Sequence, residues 1–143
     1  MPRKNLLDTN VLVALSDPEH KDHQKARSWF TSTGRGNWAL CPLTEAGFLR
    51  VTTNPAFRPG SRTLEQAIAI LQAIKGICDY CPIDQSWVTL TARFASRIRG
   101  HQQVTDAYLL GLAIKEDRVL VTFDKGFRHM AGDEFRNNVQ ILE

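Results

Sequence analysis

What most restricts the fold of this chain is an alternation of short apolar runs with helical patterns. Lys4 to Leu7, Trp38 to Cys41, Ile77 to Cys81, Val119 to Thr122 and Val139 to Leu142 have strand character. Between them lie segments with apolar residues three and four apart, as at Leu64, Ala67, Ile68, Leu71 and Ile74, and again at Ala107, Leu110, Ala113 and Ile114. A 3.6-residue period marks an amphipathic helix, and a short apolar run bounded by turn residues marks a strand. Strands that alternate with helices pair in parallel, because each helix carries the chain back across the sheet. The expected fold class is therefore α/β: a three-layer α/β/α sandwich around a central, mainly parallel sheet.

Turn residues set the boundaries. Ser16-Asp17-Pro18 stops a short helix over Asn10 to Leu15, and a second helix is expected over His20 to Thr31 before the turn at Gly34 and Gly36. Pro42 suits the first position of a helix that runs to about Thr52, where Asn54-Pro55 ends it. Further helices are expected over Thr63 to Lys75, Trp87 to Ile98 and Val104 to Glu116, with a helical turn around Lys125 to Met130. The mostly helical stretch from Gly60 to Val104 could form an arm beside the ligand-binding edge of the sheet.

The 143 residues suit one domain over 1–143, with 43% hydrophobic and 23% charged residues. No apolar run is long enough to span a bilayer, and the first strand begins too early for a signal peptide, which points to the cytoplasm. Cys41, Cys78 and Cys81 are an odd set with no second metal-ligand pair nearby, so they read as small semi-buried residues and not as disulfides or a zinc site. His20 and His23 read as part of a polar helix face, and the tryptophans as core or interface residues. The formal charge is only +3, but Arg50, Arg58, Arg62, Arg93, Arg97, Arg99, Lys125 and Arg128 lie in segments next to acidic residues of the strand–helix pattern. A basic rim of that kind could attract a phosphate polyanion; a solvated surface is the plainer account of it.

Four acids recur at equivalent points of that pattern: Asp8 in LLDTNVLVAL, Glu45 in WALCPLTEAGFLRV, Asp106 in VTDAYLLGLAIKE and Asp124 in RVLVTFDKGF. Each has an ordinary structural use: Asp8 as a helix N-cap, Glu45 and Asp106 as first-turn acids favoured by the helix dipole, Asp124 as a turn residue. Together they are more specific. In a parallel α/β sheet the strand ends line one edge, where ligands bind, so acids far apart in the chain can meet there. Clustered carboxylates repel one another unless a cation neutralises them. Oxygen ligands suit a hard ion such as Mg²⁺ or Mn²⁺, which can activate water and stabilise charge on a phosphate oxygen. Asn10 and Thr122 stand two residues from Asp8 and Asp124, where they can support the carboxylates, and Thr105 is expected to cap the Asp106 helix.

These four segments, in this order and at these spacings, resemble the PIN-domain ribonucleases, above all the VapC-type toxins of bacterial toxin–antitoxin pairs. The resemblance runs through nearly the whole chain. It implies a PIN-like sandwich and an endoribonuclease that cuts RNA phosphodiester bonds at a four-carboxylate Mg²⁺ or Mn²⁺ site. By that likeness Asp8 and Asp106 would be the principal metal ligands, with Glu45 and Asp124 completing the catalytic set and Asn10, Thr105 and Thr122 supporting it. Arg58, Arg62, Lys125 and Arg128 are candidates for binding RNA. The resemblance also implies a cognate antitoxin, whose C-terminal segment would bind near the acids, and a homodimer. The approach loop His101-Gln102-Gln103 is given no catalytic role.

Two other readings stay open on sequence alone. A haloacid-dehalogenase-like phosphatase would use Asp8 as a covalent nucleophile, but that chemistry favours an acid where Asn10 stands. The other is a non-catalytic RNA-binding relative. A receiver-like signalling module fits poorly, because it has no use for Asp106 on a helix.

Overall fold

The five apolar runs pair into one parallel sheet. The computed structural model describes residues 4–57, 61–82 and 87–143, with only the backbone of Trp87. The strands β1 (Lys4–Leu7), β2 (Trp38–Leu40), β3 (Asp79–Tyr80), β4 (Arg118–Thr122) and β5 (Val139–Ile141) stand in the order β3-β2-β1-β4-β5. Every neighbouring pair is parallel. The chain builds outward from β1 on one side through β2 and β3, then crosses back to add β4 and β5 on the other. The gap between β1 and β4 is thus the point where the winding reverses, the usual ligand crevice of an open α/β sheet.

Side chains alternate across the sheet with the period of two that extended backbone imposes. Leu6, Ala39 and Leu120 turn to one face and meet Leu90, Tyr108, Leu112 and Phe127 from α5 (Trp87–Ala92), α6 (Val104–Lys115) and α7 (Gly126–Ala131). Leu7, Leu40 and Val121 turn to the other. There they meet Val11, Trp29, Phe48 and Leu71 from α1 (Thr9–Ser16), α2 (His23–Trp29), α3 (Pro42–Thr52) and α4 (Leu64–Lys75). The two cores account for the three layers, and Trp29 and Trp38 lie in the second of them. The side chain of Trp87 is outside the described residues. Among the described residues no helix is long and apolar enough to cross a membrane, and all three cysteines are free.

Local chemistry explains the boundaries. Pro42 occupies the first turn of α3, and the buried Thr44 hydroxyl donates to the Leu7 carbonyl at 2.7 Å, which ties α3 to the end of β1. A capping box starts α4: Gln66 N–H donates to Thr63 Oγ1 at 3.2 Å, and Thr63 N–H to Gln66 Oε1 at 2.9 Å.

Three expectations need correction. The second helix begins at His23, because His20 sits in a turn where its Nδ1 accepts from Asp22 N–H at 3.0 Å; past Trp29 the chain widens into a π-helical turn over Phe30–Gly34. The helix expected over Trp87 to Ile98 ends at Ala92, followed by a 3₁₀ turn at Ala95–Arg97. Phe94 is drawn wholly into the core, and the Arg97 guanidinium donates to the carbonyls of Met130 and Ala131. Nor does the segment after residue 60 project as an arm: α4 lies on α3, and α5 on α6, on opposite faces of the sheet.

The approach of α1 to α3 depends on Gly47. A Cβ there would come within 2.3 Å of Thr9 Oγ1, one residue from Asp8. Overpacking of this kind costs roughly 1–3 kcal/mol. Gly47→Ala is expected to lower the urea unfolding midpoint accordingly, whereas Gly76→Ala, whose Cβ meets nothing closer than 3.4 Å, is expected to be nearly neutral.

Candidate active site

Parallel register places the site. Leu7 of β1 pairs with Val121 of β4, so the next residue of each strand, Asp8 and Thr122, emerge side by side at the crevice. The Asp8 N–H donates to the Val121 carbonyl at 3.0 Å, which extends the ladder by one bond. Asp8 then caps α1, its Oδ1 accepting from Thr9 N–H at 2.8 Å. Its other oxygen, Oδ2, accepts from the Thr122 hydroxyl at 2.7 Å. The helix-cap reading and the site reading of Asp8 are therefore both true, one for each oxygen.

Thr122 is wholly buried and joins three neighbours through one hydroxyl. While it donates to Asp8, its oxygen accepts from Asp124 N–H at 3.0 Å and from Asn10 Nδ2 at 3.4 Å. Asn10 Oδ1 in turn accepts from Phe123 N–H at 3.3 Å. The bond from Asp124 N–H fixes the turn that carries Asp124 past the strand end. That carboxylate accepts from Gly126 N–H through Oδ1 at 2.8 Å.

Asp106 comes from the opposite wall, in the first turn of α6. Its carboxyl is pushed up to about 7 by burial first, then by the negative charges of Asp8 and Asp124. Asp8 is also raised, chiefly by burial and in part by Asp124, while the Thr122 hydroxyl and Thr9 N–H oppose the shift. Three carboxylates thus lie within electrostatic reach of one another. Their oxygens are the donors a hard divalent ion takes, and such an ion would relieve the repulsion that raises Asp106. Among the described residues, no group of three or more acidic, histidine or cysteine side chains stands close enough together to hold a metal ion.

The expected fourth carboxylate does not join them. Glu45 occupies the first turn of α3, but its Oε2 pairs with Lys75 Nζ of α4 at 3.1 Å. Lys75 also stands over the Tyr80 ring, 4.5 Å from its centroid, and the Tyr80 hydroxyl is raised by burial and by Glu45. The other oxygen, Oε1, is buried without a hydrogen-bond partner among the described residues. The cation on α4 and the phenol on β3 lie on the β2 side of the sheet, away from the β1–β4 crevice, and they hold the glutamate there.

The supporting and basic residues divide similarly. Thr105 lines the groove but does not cap α6, which starts at Val104 without a side-chain cap. Arg62 donates to the Ser16 carbonyl at 2.9 Å and braces the end of α1. Arg128 is paired with Glu143, and Lys125 is exposed beside Asp124. Arg58 lies outside the described residues. The groove wall joins Arg50, which the sequence placed in the basic rim, to His101 and Gln102, to which it gave no role: the three line a cavity of about 590 Å³ with Asp8 and Asp106. Only the nearness of His101-Gln102-Gln103 to Asp106 in sequence could have flagged two of them.

Comparison with known proteins identifies the family of the chain. The sequence profile of the family described as PIN domain matches residues 6–133. The chain is 40% identical to ribonuclease VapC38 of Mycobacterium tuberculosis over 137 residues, 96% of each protein. It is 38% identical to ribonuclease VapC39 of the same organism over 121 residues, 83% of this chain and 87% of that one. Among solved structures, DNA-bound VapBC from Salmonella typhimurium is similar at a TM-score of 0.66 and 15% identity, covering 98% of each chain. FitAcB from Neisseria gonorrhoeae has the same fold at a TM-score of 0.62 and 18% identity, covering 97% of this chain and 96% of the other.

The raised Asp106 carboxyl makes stability depend on pH. A group that binds its proton more tightly folded than unfolded contributes stability that is complete below its unfolded value, 3.8, and lost as pH rises through about 7. In metal-free buffer Asp106→Asn, which cannot ionise, is expected to raise the melting temperature at pH 8 and to leave it nearly unchanged at pH 3.5, below the unfolded value. Chelator-treated thermal melts at the two pH values check this; an equal gain at both would show that ionisation of Asp106 is not the cause.

Proposed function

Because this chain belongs to the PIN-domain family, we propose that it is a VapC-type toxin, a metal-dependent endoribonuclease that hydrolyses RNA phosphodiester bonds at the β1–β4 crevice. The observation that carries the reading is the meeting of Asp8, Asp106 and Asp124 at the winding reversal, with Asp106 pushed up to about 7 by burial and by the other two. Asp8 and Asp106 are the residues that would hold Mg²⁺ or Mn²⁺, with Asp124 completing the set directly or through water. A bound ion of this kind supplies activated water and neutralises charge that develops on the phosphate oxygens.

The chain's own residues do the positioning. Thr122 donates to Asp8 and keeps one carboxylate oxygen fixed while α1 holds the other. Asn10 locks the end of β4 to the start of α1, so the two sides of the crevice cannot drift apart. Arg50 and His101 stand on the groove wall, where they can meet phosphate oxygens on either side of the cut. Glu45, held by Lys75, belongs to the catalytic set only if that ion pair opens. The phosphatase alternative is disfavoured, since the position two residues after Asp8 is an asparagine engaged with Thr122 and Phe123.

The same reading gives the chain a cognate antitoxin, a second copy of itself as partner, and a place of action in the cytoplasm. A groove of about 540 Å³ supports the first of these. It is lined by Leu12, Leu15, Phe30, Ile70 and Ile74, with Arg27 among its polar margins, and it suits an apolar protein segment.

A panel of structured and single-stranded RNAs, incubated with Mg²⁺ or Mn²⁺, tests the enzyme. Asp8→Asn and Asp106→Asn are each expected to lose at least about a hundredfold in cleavage rate, the scale of losing one charge-stabilising group. Glu45→Gln is expected to lose far less. Retained metal-dependent cutting in both aspartate variants would overturn the assignment of the site, and a Glu45→Gln loss as deep as theirs would show that the Lys75 pair opens during catalysis.

A further inference from the structure

Two concavities meet at the acids and share Asp8, Thr9 and Asp106. The larger has the polar wall of Arg50, His101 and Gln102. The smaller, about 300 Å³, is different in kind: beyond the acids it is walled by Val13, Val51, His20 and Phe57. The His20 and Phe57 rings stand 6.1 Å apart between centroids, inclined by 35°. Both residues are only partly buried, and Phe57 also packs against the second core.

Local bonds hold the pair in place. An Asx turn, with Ala56 N–H donating to Asn54 Oδ1 at 2.9 Å and Phe57 N–H to the Asn54 carbonyl at 3.0 Å, sets the direction of Phe57. Arg62 N–H donates to the Thr52 carbonyl at 3.1 Å and its guanidinium to Ser16, so the chain that carries Phe57 is tied to α3 and α1 beyond both ends of the turn. His20 Nδ1 accepts from Asp22 N–H, and the neutral ring must then carry its proton on Nε2 and offer it as a donor.

Beyond the acids, no arginine or lysine among the described residues lines the smaller concavity, so that part of it offers nothing to pair with a phosphate. An uncharged, flat group with acceptors on its edge suits it: an apolar wall, an aromatic face and one N–H donor are the elements by which proteins hold unstacked bases. We propose that His20 and Phe57 form a nucleobase subsite for the nucleotide beside the scissile phosphate, Phe57 giving the stacking face and His20 Nε2 a hydrogen bond to the base edge. The subsite rests on the nuclease reading for its place in catalysis. It requires that nucleotide to be unpaired in the substrate, since a paired base is not free to enter.

The first arm of the test needs no catalysis. Single-stranded RNA oligonucleotides, each with one 2-aminopurine at a different position, are titrated with protein in EDTA. Wild type is expected to quench the probe at one position by stacking. Phe57→Leu is expected to lose that quench and bind roughly tenfold more weakly, the scale of one base–aromatic stack, while Phe57→Trp keeps both. His20→Gln is expected to keep the quench and lose preference among bases. Thermal melts accompany every variant, and if Phe57→Leu does not fold, the comparison of wild type, Phe57→Trp and His20→Gln decides. In the second arm, cleavage with Mg²⁺, an abasic site at the quenched position is expected to slow wild type about tenfold and Phe57→Leu little further.

The outcomes separate the two readings. A position-specific, Phe57-dependent quench without cleavage of any RNA upholds the subsite as a binding site and sinks the nuclease. Cleavage that needs Asp8 but gives the same quench and affinity in Phe57→Leu upholds the nuclease and overturns the subsite. Absence of RNA binding by wild type in EDTA overturns the subsite, and with absence of cleavage in Mg²⁺ as well it overturns both.

Discussion

The parallel pairing of Leu7 with Val121 is the contact on which the site depends. It sets two buried strands level with each other, so the next residues along each, Asp8 and Thr122, must share a single small space. A hydroxyl can donate once and accept from several sides, and Thr122 uses both capacities: it satisfies one carboxylate oxygen and fixes the Asp124 turn and Asn10 as well. Because the hydroxyl is wholly buried, water cannot take over any of these bonds, and the geometry of both strand ends depends on one side chain. A slip of one residue in this register would also send Leu7 and Val121 to the wrong face, so the hydrophobic pattern guards the site.

The acids at this edge oppose the fold that presents them. Burial and mutual repulsion raise Asp8 and Asp106 together, and the Thr122 hydroxyl and Thr9 N–H offset only part of this for Asp8. For Asp106 burial and both neighbouring charges act in the same upward direction. Glu45 stands apart from them, paired with Lys75. The crevice therefore holds an unbalanced negative charge, and the rest of the molecule, two apolar cores on either face of a fully parallel sheet, supplies the stability that tolerates it.

Much of the fold was legible because both signals on which it rests are local. The apolar runs at Leu6-Leu7 and Leu120-Val121 and the helical spacing of Leu64 to Ile74 mark elements without any knowledge of partners. Asp8, Asp106 and Asp124 could be grouped because chain direction in a parallel sheet brings strand ends and helix starts to one edge. Glu45 could not be placed the same way: which side a first-turn glutamate turns to is decided by Lys75, thirty residues later, and by Tyr80. Nor could the engagement of Arg62 with Ser16 or of Arg97 with α7 be read, since each joins an arginine to a backbone carbonyl that carries no sequence signature. His20 read as one more residue of a helix face because nothing in its own segment reveals that Phe57 stands across from it. The early end of α5 has a similar origin, as the pull of the core on Phe94 overrode a continuous helical pattern.

The bond between Thr122 and Asp8 spans 114 positions of the chain. A ribosome releases residue 8 long before residue 122, and during that interval the first strand has no β4 to pair with. Asp8 can cap α1 in that time, but its second oxygen faces water, Asn10 has nothing to grip, and Asp124 does not yet exist. Every fragment that stops short of β4 lacks the crevice altogether. The proposed site therefore assembles only once β4 has been made, and synthesis itself withholds it from every shorter copy.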